Sequence, residues 1–160
     1  MKYLIAVLVL LMLSNDDCWA IEEYSCVAEK VYDGDSITKC LDDNSEYHNV
    51  RLAGLDAPEK RQTYGILSKE ALSNKILGYK ISVKKIATDR YQRDISIVTF
   101  KGENINEFMV KNGHAWSYLP QPEYNADYTV LEFMAKDQNK GLWSYSQNPI
   151  APSDYRKGVR

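Results

Sequence analysis

Histidine, cysteine and net positive charge are all scarce in this 160-residue chain, and each scarcity removes a class of protein. The two histidines, His48 and His114, stand 66 positions apart in no ligand spacing, which argues against a histidine-built metal centre. Walker loops, GxGxxG turns and serine elbows are absent, as are their phosphate-cradling and acyl-transfer chemistries. No internal repeat, glycine-rich linker or low-complexity stretch divides the chain, so one domain is expected. The formal net charge is −2. That is not the basic footprint of a tight polyanion binder, although it leaves open a catalyst that must release its product.

The longest apolar run is short. Lys2 precedes Tyr3–Leu13, and Cys18-Trp19-Ala20 follows a polar stretch. Eleven helical residues reach ~17 Å against a hydrocarbon core of ~30 Å, so a membrane anchor is disfavoured. The pattern predicts a cleaved secretory leader over 1–20, with residues 21–160 as the mature domain. Asp16 and Asp17 stand where a lipid-attachment pattern would precede Cys18. The expected product is secreted or periplasmic, with no stable membrane association, and monomeric. Without Lys2, Asp16 and Asp17 the 20 basic and 22 acidic residues become 19 and 20, a net charge of −1.

Loss of the leader leaves Cys26 and Cys40 in an oxidising compartment, where one intramolecular pairing is available. They flank Asp33 symmetrically, and Asp33-Gly34 is a hairpin signal between β-rich runs, so a disulfide is expected across the two strands. The alternative is a pair of small buried apolar side chains, which a one-residue slip of register would separate.

Strands are predicted over 24–32, 36–41, 46–55, 79–86 and 94–100. Residues 65–77 carry a helical pattern with Leu67, Ala71, Leu72 and Ile76 on one face and Gly78 as the stop. Asn104 with Glu107 resembles a capping box, opening a helix that ends at Gly113. A last helix is predicted over 127–139, with Val130, Leu131, Met134 and Ala135 inward. The order β-β-β-α-β-β-α-α implies an α+β fold with a small barrel among the options.

Chemistry concentrates in three stretches: Asp33-Gly34-Asp35-Ser36, then Arg51-Leu52-Ala53-Gly54-Leu55-Asp56-Ala57-Pro58-Glu59, then Asp89-Arg90-Tyr91-Gln92-Arg93. Carboxylates converging from loops suit a hard divalent ion, since calcium takes six to eight oxygens in a flexible shell. Arg51 and Arg93 add two forked guanidiniums suited to phosphate oxygens. Singly, an Asp-Gly is a turn and an arginine a solvated charge.

Together the stretches resemble the thermonuclease, or staphylococcal-nuclease-like, family, whose pattern is a DGDT turn, R-L-x-G-x-D-x-P-E and a later D-x-Y-G-R. The ending agrees too: Asn112-Gly113-His114-Ala115-Trp116, Gly141-Leu142-Trp143, and a tail with Pro152 and Arg156. The resemblance implies an OB-type five-stranded β-barrel with three helices. It implies a calcium (Ca2+) site at Asp35, Asp56 and the carbonyl of Ala57, with Asp33 as an outer carboxylate. It implies a catalytic trio of Arg51, Glu59 and Arg93, and substrate contacts from Arg90 and Tyr91. The implied activity is sugar-non-specific endonucleolytic hydrolysis of DNA and RNA to 3′-phosphorylated products. Ser36 replaces the family threonine and keeps its hydroxyl; Ala57 replaces a threonine where only the carbonyl matters. Gln92 stands where glycine usually precedes the arginine, a costly choice if that turn requires φ > 0.

Twelve tyrosines, among them Tyr118, Tyr124 and Tyr128, offer a base-stacking platform, with Tyr118 the candidate. A catalytically weak OB-fold nucleic-acid-binding module is the alternative. Such a domain has no need of the full set Asp35, Arg51, Asp56, Glu59 and Arg93. A secreted calcium-binding structural domain would likewise not need Arg51 and Arg93.

Overall fold

The computed structural model describes residues 22–118 and 126–159. The predicted leader and Tyr124 lie outside the described residues. Five strands close a barrel: β1 (Glu22–Val31), β2 (Ser36–Asp42), β3 (Tyr47–Leu52), β5 (Lys80–Thr88) and β6 (Asp94–Phe100). Neighbours run antiparallel in the order β3-β2-β1-β5-β6, and a parallel pairing of β3 with β6 completes the ring. Of three two-residue strands, β7 (Glu103–Asn104) adds to β6, while β4 (Leu55–Asp56) and β8 (Trp116–Ser117) pair antiparallel in a separate two-stranded sheet. The expected α+β architecture, an OB-type five-stranded barrel with added helices, is the one observed.

Alternation builds the core. Cys26 and Ala28 on β1, Val50 and Leu52 on β3, and Ile81 and Val83 on β5 point inward at intervals of two, as a pleated strand requires. Helix α1 (Gly65–Ile76) buries Leu72 and Ile76 against them, and α2 (Ile105–Lys111) buries Ile105, Met109 and Val110. Asn104 caps α2 as expected, accepting from the amides of Asn106 and Glu107 and donating to the Glu107 carboxylate at 3.0 Å. Asn106 fastens α2 to the barrel: its buried amide reaches the carbonyls of Ala53 and Ser96 and the N–H of Val98.

Several local expectations need correction. Leu67 is 40% exposed, and Ser68 takes its place on the inner face, because the contact there is a close backbone approach with room only for a small side chain. On α3 (Ala126–Asp137), Val130 and Met134 face out, while Tyr128 and Ala135 are buried and Leu131 packs against the core. Tyr128 is therefore packing, not a stacking platform. Two short helices, α4 (Leu142–Tyr145) and α5 (Pro152–Arg156), follow α3 and were not expected. Four or five residues carry too little periodicity to register.

Cys26 and Cys40 form the disulfide, with Cα atoms 5.3 Å apart. The register differs from the symmetric one: Cys40 stands opposite Ala28, and Cys26 opposite Asp42. The bond is a diagonal on one face: the turn pairs Val31 with Ile37 and closes on Tyr32 and Ser36, so it is centred on Gly34 rather than Asp33, and the two cysteines stand two residues apart across the ladder. Closing so short a loop is worth ~3 kcal/mol in the chain-entropy view. Replacing both cysteines by alanine should lower the melting temperature by roughly 10 °C in calorimetry while leaving the far-UV spectrum unchanged.

Candidate active site

Gly34 sets the first wall of the site. A Cβ there would lie 1.8 Å from Ser68 Oγ and 2.8 Å from Ala57 Cβ, so only glycine lets the β1–β2 turn press against α1 and the 56–57 segment. That approach carries Asp35 inward, to 1% exposure, and lets the Ala57 amide donate to its Oδ2 at 2.7 Å. Ser36 Oγ donates to Asp35 Oδ1 at 2.8 Å, and Asp33 Oδ1 accepts from the Asp35 amide at 3.1 Å. Asp33 lines the open cleft, and burial pushes its carboxyl above the usual range against the opposing pull of Arg51, Ser36 and Arg93.

Arg51, on β3, is the hub. One arm of its guanidinium meets Asp35 and the other meets Asp56 Oδ1 at 3.0 Å. A single fork thus spans both carboxylates, which fixes them within a few ångströms of one another. Burial pushes the Arg51 pKa below its ordinary value while Asp56 and Asp33 oppose the shift; an arginine keeps its charge regardless.

Glu59 is placed by a turn. Its amide donates to Gln62 Oε1 at 3.0 Å, and its carbonyl accepts from the Gln62 amide at 2.8 Å. Gly65 passes so close that a Cβ there would sit 2.0 Å from the Glu59 carbonyl oxygen.

Arg93 arrives from the β5–β6 hairpin. Asp89 accepts from the amides of Tyr91 and Arg93 and from the Arg93 guanidinium at 2.8 Å. Burial works to raise the Asp89 pKa, but those hydrogen bonds outweigh it and the net shift is downward. The hairpin is a three-residue loop whose last residue, Gln92, has φ 59°. The sequence departure therefore falls on a left-handed position, yet Arg93 still lines the cleft.

A third guanidinium went unassigned in the sequence. Arg156, at the end of α5, reaches Asp56 Oδ2 at 2.8 Å and Glu59 Oε1 at 2.8 Å. The hydrogen bond to Asp56 raises its pKa. The one mark of it in the sequence is the family-like tail with Pro152 and Arg156; Pro152 at the first turn starts the short helix that carries Arg156. Among the expected site residues, Asp33, Arg51, Asp56, Glu59, Arg90, Tyr91, Arg93 and Tyr118 share one cleft of about 640 Å³. Asp35 and Ala57 lie buried beneath it. Arg90 and Arg93 both stack on Tyr91, at 4.8 and 5.5 Å from its centroid.

The segment that carries most of these residues matches the model of the staphylococcal nuclease homologue family over residues 49–145. The chain belongs to the staphylococcal nuclease family. Its similarity extends to an uncharacterized endonuclease of Haemophilus influenzae, 39% identical over 138 residues that cover 85% of this chain and 75% of that protein. An uncharacterized endonuclease of Escherichia coli O157:H7 is 36% identical over 79% of this chain and 81% of its own length. A probable staphylococcal-like nuclease of rice, CAN3, is 35% identical over 79% of this chain, which spans 34% of that larger protein. Within this family member the Asp33–Asp35 turn and Arg156 fall outside the matched span, yet both converge on it.

A second polar cluster stands apart. Asp42, Glu46 and His48 offer ligand atoms within 4.8 Å of one another, but none of the three lines the cleft. The two ring nitrogens of His48 face Asp42 at 3.2 Å and Asp94 at 3.3 Å, so the imidazole bridges β2 and β6.

Two outcomes follow from this geometry. Gln92→Gly should stabilise the fold by about 0.5–1 kcal/mol in urea titration, since glycine removes the left-handed strain at some entropic cost. Arg156→Ala should leave the melting temperature within a few degrees, because the residue is half exposed. It should reduce kcat/KM on nucleic acid at least tenfold, measured on a fluorescent oligonucleotide, by removing one cleft guanidinium.

Proposed function

We propose that the chain is a calcium-dependent, sugar-non-specific endonuclease that hydrolyses DNA and RNA to 3′-phosphorylated products. The observation that carries the reading is the single Arg51 fork spanning Asp35 and Asp56 in a cleft that also gathers Glu59, Arg93 and Arg156. Family membership and relatives named as endonucleases support it.

The donor set fits a hard cation. Asp35, Asp56 and the carbonyl of Ala57 offer oxygen alone, from buried and backbone-anchored positions. An all-oxygen set completed by water and substrate oxygens is compatible with the flexible shell of calcium, the ion implied by the family resemblance. Bound there, the ion would supply positive charge beside the scissile phosphate.

The chain's own groups do the rest. Arg51 binds a phosphate oxygen, held in place by its carboxylate partners. Glu59 accepts a proton from the attacking water, and Arg156 orients its carboxylate through Oε1. Arg93, steadied by Asp89, faces the negative charge that grows on phosphorus and on the departing 5′-oxygen. Water as nucleophile leaves the sugar 2′-position uninvolved, which accounts for tolerance of both DNA and RNA. Arg90, Tyr91 and Tyr118 contact the strand around the scissile step.

The leader of residues 1–20 directs the protein out of the cytoplasm, to act as a secreted or periplasmic monomer. The Cys26–Cys40 bond suits that oxidising setting.

Plasmid cleavage by the purified mature protein should need calcium, stop in EDTA and fail with magnesium alone. Glu59→Gln and Arg93→Ala should each lose ~10²–10³ in rate while oligonucleotide affinity, read by fluorescence anisotropy, changes far less. Full activity in EDTA would sink the metal assignment, and wild-type cleavage by Arg93→Ala would sink its role.

A further inference from the structure

The cleft does not end at the catalytic groups. Tyr32, Glu59 and Arg156 are shared between it and a neighbouring depression that adds Lys60, Arg61 and Tyr155. Arg61 and Tyr155 in turn line a third hollow of about 330 Å³, walled by Tyr64, Trp116 and Tyr145. Shared walls set these three hollows side by side along one face, from Glu59 to an aromatic pocket.

Charge marks the path. The connecting depression carries Lys60, Arg61 and Arg156 against Glu59 alone, on a chain whose formal net charge is −2. Glu59 is already paired with Arg156 at 2.8 Å, which leaves a local surplus of cations. Such a stripe suits a phosphate backbone.

The pocket suits what hangs from that backbone. Its four aromatic walls are Tyr64, Trp116, Tyr145 and Tyr155, and its volume matches a small-molecule site. A plain packing role accounts for Trp116, which meets Trp143 edge-on at 5.2 Å between centroids. It accounts less well for Tyr145, which is 60% exposed, or for Tyr64. Tyr64 holds φ 70°, a left-handed conformation that costs a non-glycine residue about 1 kcal/mol or more. Its ring is fixed by the His114 Nδ1 3.0 Å from its hydroxyl and by an edge contact with Tyr145 at 5.5 Å. Strain tolerated to present an aromatic face beside an exposed tyrosine is a feature of binding surfaces rather than of cores.

We infer that this pocket takes one unpaired nucleobase of a single-stranded substrate whose phosphates cross Lys60 and Arg61. The inference rests on the nuclease reading and adds a subsite to it. A paired base cannot enter, because its ring edges and faces are held within the duplex stack, so the subsite favours single strands and frayed ends.

The test uses the metal-loaded mature protein and single-stranded decadeoxynucleotides in which one abasic residue is moved along the strand. Wild type should show a drop of about tenfold in kcat/KM when the abasic residue falls at one position away from the scissile step, the range expected for a lost base stack. Tyr145→Ala should flatten that drop while cleaving a dinucleotide, too short to reach the pocket, at the wild-type rate. Arg61→Ala should reduce the salt slope of oligonucleotide binding by about 0.7, the loss of one single-strand phosphate contact. An abasic profile in Tyr145→Ala identical to wild type, or no positional drop in wild type, overturns the pocket while leaving the nuclease reading intact. A wild-type protein that neither cleaves nor binds any oligonucleotide overturns both.

Discussion

The parallel pairing of β3 with β6 is the constraint on which the site depends. It sets Arg51 beside Ile95 and so brings the β5–β6 hairpin, with Arg93 at its foot, over the same cleft. Every other pairing in the barrel is antiparallel and joins strands through turns or broad ladders. This one is only three residue pairs long, yet it turns an open sheet into a closed wall. Without it Arg51 would sit on a free edge, and the two guanidiniums of the cleft would have no common frame.

Charge balance is the second constraint. Asp33, Asp35, Asp56 and Glu59 gather at one place, and their mutual repulsion would open the loops that carry them. Arg51 and Arg156 each bridge two of these carboxylates, and Arg93 acts on Asp33 from the hairpin. Buried pairs of this sort contribute little net stability, because desolvation offsets most of their attraction. Removing Arg51 is a different matter, since buried Asp35 would be left charged and dry, whereas half-exposed Arg156 leaves Asp56 still paired to Arg51. The cleft is thus a poorly stabilising region maintained by the barrel and helices around it, as expected where geometry serves chemistry.

Much of the fold was legible because strands and helices wrote their periods plainly: the five barrel strands, α1, α2 and α3 fall near the expected positions. Faces were less legible than elements. Leu67 and Val130 are apolar at helical spacing but exposed, since pattern does not say which side of a wide apolar stripe meets the core. The Cys26–Cys40 pairing is expected on a hairpin symmetric about Asp33, whereas the turn is centred one residue later, on Gly34, which makes the bond diagonal; Asp33-Gly34 marks a turn without fixing its centre. Most of the site was legible only through a resemblance spread over three motifs. Gly34 reads locally as a turn former, while its use is the close approach to Ser68 and Ala57. Arg156 lies 100 residues from Asp56, and nothing local announces a contact over such a distance.

The disulfide has a consequence for the order in which the chain folds. It joins positions 14 apart within a single hairpin, whereas the β1–β5 ladder pairs Glu22 with Lys85 and the β3–β6 closure pairs Val50 with Asp94. Folding speed is governed by such distant pairings, whose loop-closure entropy must be met before any contact repays it. Early oxidation therefore pins the β1–β2 hairpin without shortening the search that closes the barrel. Covalent chemistry governs how firmly the first hairpin is held, and topology governs how long the ring takes to shut.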